Sequence, residues 1–294
     1  MDLRIIYFGN DWFAENRTSS HHVARRLARQ FPLLYVASPG MRAPQMTGRD
    51  LRKLFHRLGQ VLEQPRQVEK NLWVCTVPQI PFRNLPAVAW LNRRFGRWAI
   101  RRAMRALPFE RSISWFVLPH PGFLAGQLGE EYIVYYCIDD YAAHPHMDRE
   151  EIQRMDEELT RRADQVFVAS PRLLERKRAA APTATFSPHG VDAEMFRRVS
   201  DPATQVAAGA ANLRHPVIGF FGVLGEWIDM DLLEYLGSMH PDWTFLIVGR
   251  VAADVSRLRK LGNFVFPGPQ PYQSLPGWAK AFNVAIIPYQ IGNE

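Results

Sequence analysis

The chain has 294 residues, 47% of them hydrophobic and 22% charged, which is enough to bury a large core in two domains and too apolar for a disordered polymer. Two cysteines, Cys75 and Cys137, exclude a disulfide scaffold or a zinc ribbon and point to a reducing, cytoplasmic setting. The net charge of +7 is unevenly placed: residues 1–111 carry +13, residues 112–212 carry −5 and residues 213–294 carry −1, so an anionic partner surface is expected to meet the first third.

The N-terminus enters an apolar run at Leu3–Phe8 with no basic leader, unlike a secretory signal. Further strands are predicted at Leu33–Ala37, Leu72–Val77, Ile113–Leu118, Ile133–Ile138, Val166–Ala169 and Ala184–Ser187. Continuous apolar character, alternating with helical periodicity, predicts an α/β protein with strands buried on both faces. The longest unbroken apolar run, Tyr132–Ile138, is far short of the ~20 residues that span a bilayer.

Two segments of the basic third are amphipathic. Leu51, Leu54, Phe55, Leu58, Val61 and Leu62 form a helical stripe among basic residues. Val88, Leu91, Phe95, Trp98, Ala99 and Ala103 form a second, with Arg93, Arg94, Arg97, Arg101 and Arg105 opposite. Such helices either pack on a core or lie on an anionic membrane, and residues 49–63 and 86–107 are the candidate membrane-facing segments. Nucleic acid is not expected as a partner, because no aromatic or glycine-loop recognition motif is present.

Residues 197–212 are small and polar and read as a linker, placing one Rossmann-like domain at 1–212 and a second at 213–294. The second series has strands at Val217–Gly222, Thr244–Val248, Phe264–Phe266 and Val284–Ile287. A doubly wound domain ordinarily has five or six strands, so this one is expected to be truncated. No metal-ligand spacing, Walker loop, GxGxxG or Gly-x-Ser-x-Gly elbow occurs. Candidate chemistry therefore falls on strand-end turns. Gly222 and Gly225, read as opening a helix, would let backbone approach a phosphate, and Arg250 would be its cation. Asp139 and Asp140 are either an acid–base pair or caps of the next helix.

The turns also carry a family resemblance. Asp11-Trp12, Arg17 and His21-His22-Val23-Ala24 are similar to the first turn of bacterial nucleotide-sugar glycosyltransferases of the GT-B fold, group 1 or family-4 type. Ala163-Asp164 through Ser170 resembles that family's Ala-Asp-Val-x-x-x-Ser. Pro188-His189-Gly190-Val191-Asp192 to Phe196 resembles its Pro-Asn-Gly-Val-Asp-x-x-x-Phe, with His in place of Asn. Gly219-Phe220-Phe221-Gly222 to Glu226-Trp227 resembles the donor-domain opening, and Asn263–Gly268 with Pro271-Tyr272 the later donor segment.

The resemblance implies a surface-polysaccharide enzyme that moves a sugar from a nucleotide-diphosphate donor to a glycan or lipid-linked acceptor, with no metal or cofactor. It implies that Asp11, Arg17, His21 and His22 lie on the acceptor side and that His120 faces the transferred sugar. Tyr272 would lie near the nucleotide base, and Glu294 would belong to the donor site. The protein would be cytoplasmic and peripheral on the inner membrane face. The alternatives are a catalytically incomplete fragment, a peripheral membrane-binding protein, or a nucleotide-sugar epimerase of the same fold.

Overall fold

A computed structural model describes residues 3–14, 17–38, 64–77, 86–107, 111–143 and 147–291. The chain divides into two compact units, Met1–Gly190 and Val191–Glu294.

In the first unit, strands β1 (Leu3–Gly9), β2 (Leu33–Ala37), β3 (Arg66–Glu69), β4 (Leu72–Thr76), β5 (Arg111–Phe116), β6 (Tyr132–Cys137), β7 (Gln165–Val168) and β8 (Thr185–Phe186) form one sheet. Their spatial order is β3-β4-β2-β1-β5-β6-β7-β8. All neighbours are parallel except β3 on β4. β3 was not anticipated: it is a polar edge strand whose one neighbour gives it no apolar signature, and its charges protect the open edge. The hairpin into β4 turns at Asn71, whose φ of 62° suits Asn.

The sheet faces are covered by α1 (Ser19–Ala28), α2 (Pro86–Arg105), α3 (Arg149–Arg162) and α4 (Pro171–Arg178). Local chemistry starts each of the last two. Asp148 accepts a bond from Glu151 N at 3.0 Å, and Ser170 accepts from Leu173 N at 3.2 Å ahead of Pro171. One core layer gathers Ile6, Phe8, Leu34, Ile100, Phe116 and Leu159, and the other Tyr7, Trp12, Leu33, Tyr35 and Leu72.

The second stripe forms α2, but its buried residues are Asn92, Gly96, Ala99, Ile100 and Ala103. Leu91 and Trp98, expected on the packed side, are exposed, as is Trp90. Gly96 lies against Leu124 and Phe123 of the turn at 120–124, while Ala99, Ile100 and Ala103 join the core layer. Residues 49–63, the other candidate membrane segment, lie outside the described residues.

The second unit has a four-stranded parallel sheet of β9 (Val217–Phe221), β10 (Thr244–Val248), β11 (Phe264–Gly268) and β12 (Val284–Ala285), in the order β11-β10-β9-β12. Helices α5 (Ala193–Arg197), α6 (Met230–Met239), α7 (Ser256–Lys260) and α8 (Leu275–Ala279) accompany it. The polar stretch read as a linker packs on this unit. Ala210 joins the core layer of Trp278, Lys280 Nζ donates to Asp201 O at 2.6 Å, and Ala207 N bonds Gly277 O at 3.0 Å. Residues 191–212 thus go with the second unit, a boundary about twenty residues earlier than polarity alone indicates. Among the described residues no helix is long and apolar enough to cross a membrane.

Candidate active site

Open parallel sheets bind ligands at the carboxyl ends of strands, where the strand order reverses. In the first unit that point lies between β1 and β5. The loop after β1 is built tightly there. A Cβ on Gly9 would sit 2.2 Å from the Tyr35 hydroxyl, so only glycine lets Tyr35 Oη donate to Asn10 O at 2.8 Å. Trp12 is buried against Tyr35 and His21. Arg17 Nη1 donates to Trp12 O at 2.9 Å while its guanidinium lies 5.1 Å from the Trp12 ring.

His21 locks this loop. Its Nδ1 accepts from Thr18 N at 3.0 Å, so the proton sits on Nε2, which donates to Asp11 O at 3.0 Å. The imidazole is neutral: burial lowers its pKa, and Arg17 and Arg25 push the same way against the Asp11 carbonyl. Asp11, Arg17 and His21 are therefore assembled in one turn, with the Asp11 carboxylate exposed and accepting from Phe13 N at 3.0 Å. His22 is half-buried on α1.

Across the switch point, His120 opens a 3-10 turn at His120–Leu124 and is only 1% exposed. It lines a cavity of about 60 Å³ with Asn92 and Arg93 of α2 and Arg154, Met155 and Glu158 of α3. The structure thus places it in the packing beneath the edge. After β6, Asp139 is exposed, and its Oδ1 accepts from Asp140 N at 2.9 Å. Asp140 is held by the Arg176 guanidinium of α4. The two carboxylates have different surroundings, and neither caps α3, whose cap is Asp148. His189 Nε2 lies 3.2 Å from Ile138 O, bringing the β8 turn to the same edge.

In the second unit the reversal falls between β9 and β12. The loops after these strands are tied together: Asp229 N donates to Pro288 O at 2.8 Å and Gln290 N to Trp227 O at 3.0 Å. Gly222 and Gly249, with φ of 153° and 145°, bring two backbones together, and a Cβ on Gly249 would lie 1.8 Å from Gly222 O. Leu224 N bonds Arg250 O at 2.9 Å. Arg250 is exposed and makes no side-chain hydrogen bond or ion pair among the described residues.

Gly225 differs from expectation. No helix opens there; α6 begins at Met230, and Gly225 is buried where a Cβ would strike the Trp227 ring at 2.6 Å. The acidic first turn is explained as well. Asp229 caps α6 through Leu232 N at 2.8 Å, and Asp231 pairs with Arg257 at 2.5 Å. Tyr272 begins a half-buried 3-10 turn after β11. Glu294 lies outside the described residues. Among those residues no group of three or more His, Cys, Asp or Glu is placed to hold a metal.

Several motif residues have plain structural duties. Asp164 accepts from Ile133 N at 2.8 Å, Asp192 caps α5, and Asn263 Nδ2 bonds Gly237 O and His240 O at 3.1 Å each.

Comparison with known proteins places this architecture. No family model matches the sequence. A curated relative, "Putative teichuronic acid biosynthesis glycosyltransferase TuaH" of Bacillus subtilis (strain 168), is 25% identical over 286 residues, covering 83% of this chain and 71% of that one. Among solved structures, Anabaena Alr3699/HepE in complex with UDP is similar with a TM-score of 0.58 and 14% identity, over 96% of this chain and 73% of that one. An Escherichia coli trehalose-6-phosphate protein bound with UDP-2-fluoro glucose also matches at a TM-score of 0.58, with 11% identity over 96% and 77% of the two chains. The chain shares the GT-B fold of these structures, and the curated relative it is similar to is described as a glycosyltransferase.

Proposed function

We propose that the chain transfers a sugar from a uridine-diphosphate donor to a glycan or lipid-linked acceptor in surface-polysaccharide synthesis, working against an anionic membrane. The Gly222–Gly249 contact beside Arg250 carries this reading. Two glycine backbones touch at the carboxyl ends of β9 and β10, beside the β9–β12 switch point, so a diphosphate can approach bare backbone there, and the exposed guanidinium supplies its counter-charge. Relatives bound to UDP and UDP-glucose support the choice of base.

Cleaving the sugar–phosphate bond leaves added negative charge on the departing diphosphate. Arg250 stabilises it there, in place of a metal ion. Tyr272 lies toward the base. On the acceptor side, Asp139 takes the proton of the incoming hydroxyl, Asp140 is fixed by Arg176, and the buried His120 shapes the edge that faces the sugar. The loop of Asp11, Arg17, His21 and His22 receives the acceptor. Support for the membrane reading is the outer face of α2, where Trp90 and Trp98 stand 57% and 46% exposed among arginines. Their rings lie 5.3 and 5.9 Å from the Arg94 and Arg102 guanidiniums.

The test is thermal unfolding with UDP, GDP and ADP in the presence of a chelator. A UDP-selective rise in midpoint follows from binding to the folded state. No rise with any nucleotide refutes the donor assignment.

A further inference from the structure

Between β9 and α6 the chain makes a turn that holds one large ring in the open. Trp227 is 48% exposed, while Leu224 and Ile228 nearby are buried at 0% and 1%. Its indole rests on a glycine. A Cβ on Gly225 would meet Cη2, Cζ2 and Cζ3 of the ring at 2.6, 2.8 and 2.8 Å. An edgewise approach to Cη2 would leave its two neighbours much farther off, so these nearly equal distances put Gly225 under the flat of the six-membered ring.

The turn is held from both flanks. Gln290 N donates to Trp227 O at 3.0 Å, Asp229 N donates to Pro288 O at 2.8 Å, and Ile228 bridges antiparallel to Tyr289. Gln290 Nε2 donates to Glu226 O at 3.1 Å. A fixed backbone and a glycine beneath leave the indole little freedom, so stacking a ligand on it costs little ordering entropy.

The place of the ring in the sheet decides what it stacks. In the order β11-β10-β9-β12, the Gly222–Gly249 contact stands at the ends of β9 and β10, and Trp227 is tied to the loop after β12. A nucleotide sugar is linear: base, ribose, diphosphate, sugar. With the diphosphate at the glycine pair and the base toward Tyr272 after β11, the sugar falls on the β12 side, where Trp227 is exposed. The C–H groups of a pyranose ring carry slight positive charge and suit the negative face of an indole.

We infer that Trp227 is the platform on which the transferred sugar stacks, with Gly225 seating the indole flat. The inference rests on the donor reading above and adds to it the residue that holds the sugar rather than the nucleotide.

Titration calorimetry of the full chain with UDP, UDP-glucose, UDP-galactose, UDP-N-acetylglucosamine and UDP-glucuronic acid tests it. At least one UDP-sugar should bind about fivefold or more tightly than UDP, the scale of one aromatic contact. Trp227→Ala should bring that sugar to about the affinity of UDP and leave UDP itself unchanged, which also shows that the variant is folded. Gly225→Ala, whose Cβ displaces the ring from the turn, should lose the same increment with the tryptophan still present. Trp227→Phe keeps a smaller ring and should retain part of it.

If no UDP-sugar binds more tightly than UDP, or the increment is unchanged in Trp227→Ala or in Gly225→Ala, the inference is overturned and the donor reading stands. Equal loss of UDP and UDP-sugar in a Trp227→Ala chain with native circular dichroism also overturns it, and assigns the ring to the nucleotide. Failure of the wild type to bind UDP at all refutes the donor reading, and this inference with it.

Discussion

Replacing His21 by alanine removes the side chain that closes the β1–α1 turn, and the cost can be worked from its contacts. The ring is fully buried, accepts one hydrogen bond from Thr18 N and donates another to Asp11 O. Two such bonds are worth about 1 kcal/mol each. Loss of the ring packed beside Trp12 and Tyr35 raises the total to about 3 kcal/mol. Glutamine is a natural third residue of a capping box. His21→Gln should therefore restore the Thr18 bond and recover about 1 kcal/mol of that loss.

The pH dependence separates the two variants further. The folded-state pKa of His21 lies below its unfolded value, which is near 6.5. Its contribution is thus fully present above about pH 6.5 and is lost as pH falls from there toward the lowered folded value. Urea unfolding followed by far-ultraviolet circular dichroism at pH 7.5 and 5.5 measures both effects. The stability gap between the wild type and His21→Gln should narrow at the lower pH. A loss below 1 kcal/mol for His21→Ala, or a gap that widens on acidification, would refute the assignment of a neutral, doubly bonded imidazole.

Gly249→Ala forces a Cβ to within 1.8 Å of Gly222 O; UDP binding by calorimetry should fall at least tenfold while circular dichroism shows the fold retained. Arg250→Ala removes a charge-assisted contact worth about 1.5–3 kcal/mol and should weaken UDP roughly 10- to 100-fold, with no change in unfolding midpoint without nucleotide. Lys177→Met strips the cation from a buried network in which Lys177 pairs with Asp156 and bonds Thr160 Oγ1 at 2.9 Å, while Tyr135 Oη donates to Asp156. Urea unfolding should show a loss of about 3–5 kcal/mol, as for other broken buried pairs. Trp90→Ala with Trp98→Ala should abolish sedimentation with phosphatidylglycerol vesicles at low salt and leave UDP binding intact.

Strands such as β1 and β2, buried from both sides, announce themselves as unbroken apolar runs, and so the parallel strands of the two sheets are readable from residues alone. β3 was not, because an edge strand of Arg, Gln, Val and Glu gains its order from a single neighbour. The site divides in the same way. Turn residues whose meaning is local, such as Asp11 and Gly222, sit just after the expected strands, and His21 in the first turn of the helix that follows. Long-range partners carry no sequence spacing, so the sequence shows Asp140 beside Asp139 but not Arg176, on α4, which holds it. Gly225 looked like a phosphate turn, although its missing Cβ makes room for Trp227.

The sharpest divergence is α2, and it follows from how a hydrophobic stripe is counted. Scoring every apolar residue equally puts Leu91 and Trp98 on the buried side. Packing rewards close contact instead: Gly96 lies against Leu124 and Phe123, and Ala99 and Ala103 enter the core layer. Once those small residues are inside, the rotation of the helix is fixed, and Trp90, Arg94, Trp98 and Arg101 fall together outside. The signal available beforehand was the repeated Trp–Arg spacing of four, Trp90–Arg94 and Trp98–Arg102. This spacing places each ring beside a cation on one helical face. Buried Trp12 also has an arginine over its ring, so the pairing alone does not decide; what sets Trp90 and Trp98 apart is that their rings are exposed, as rings at a lipid–water boundary are.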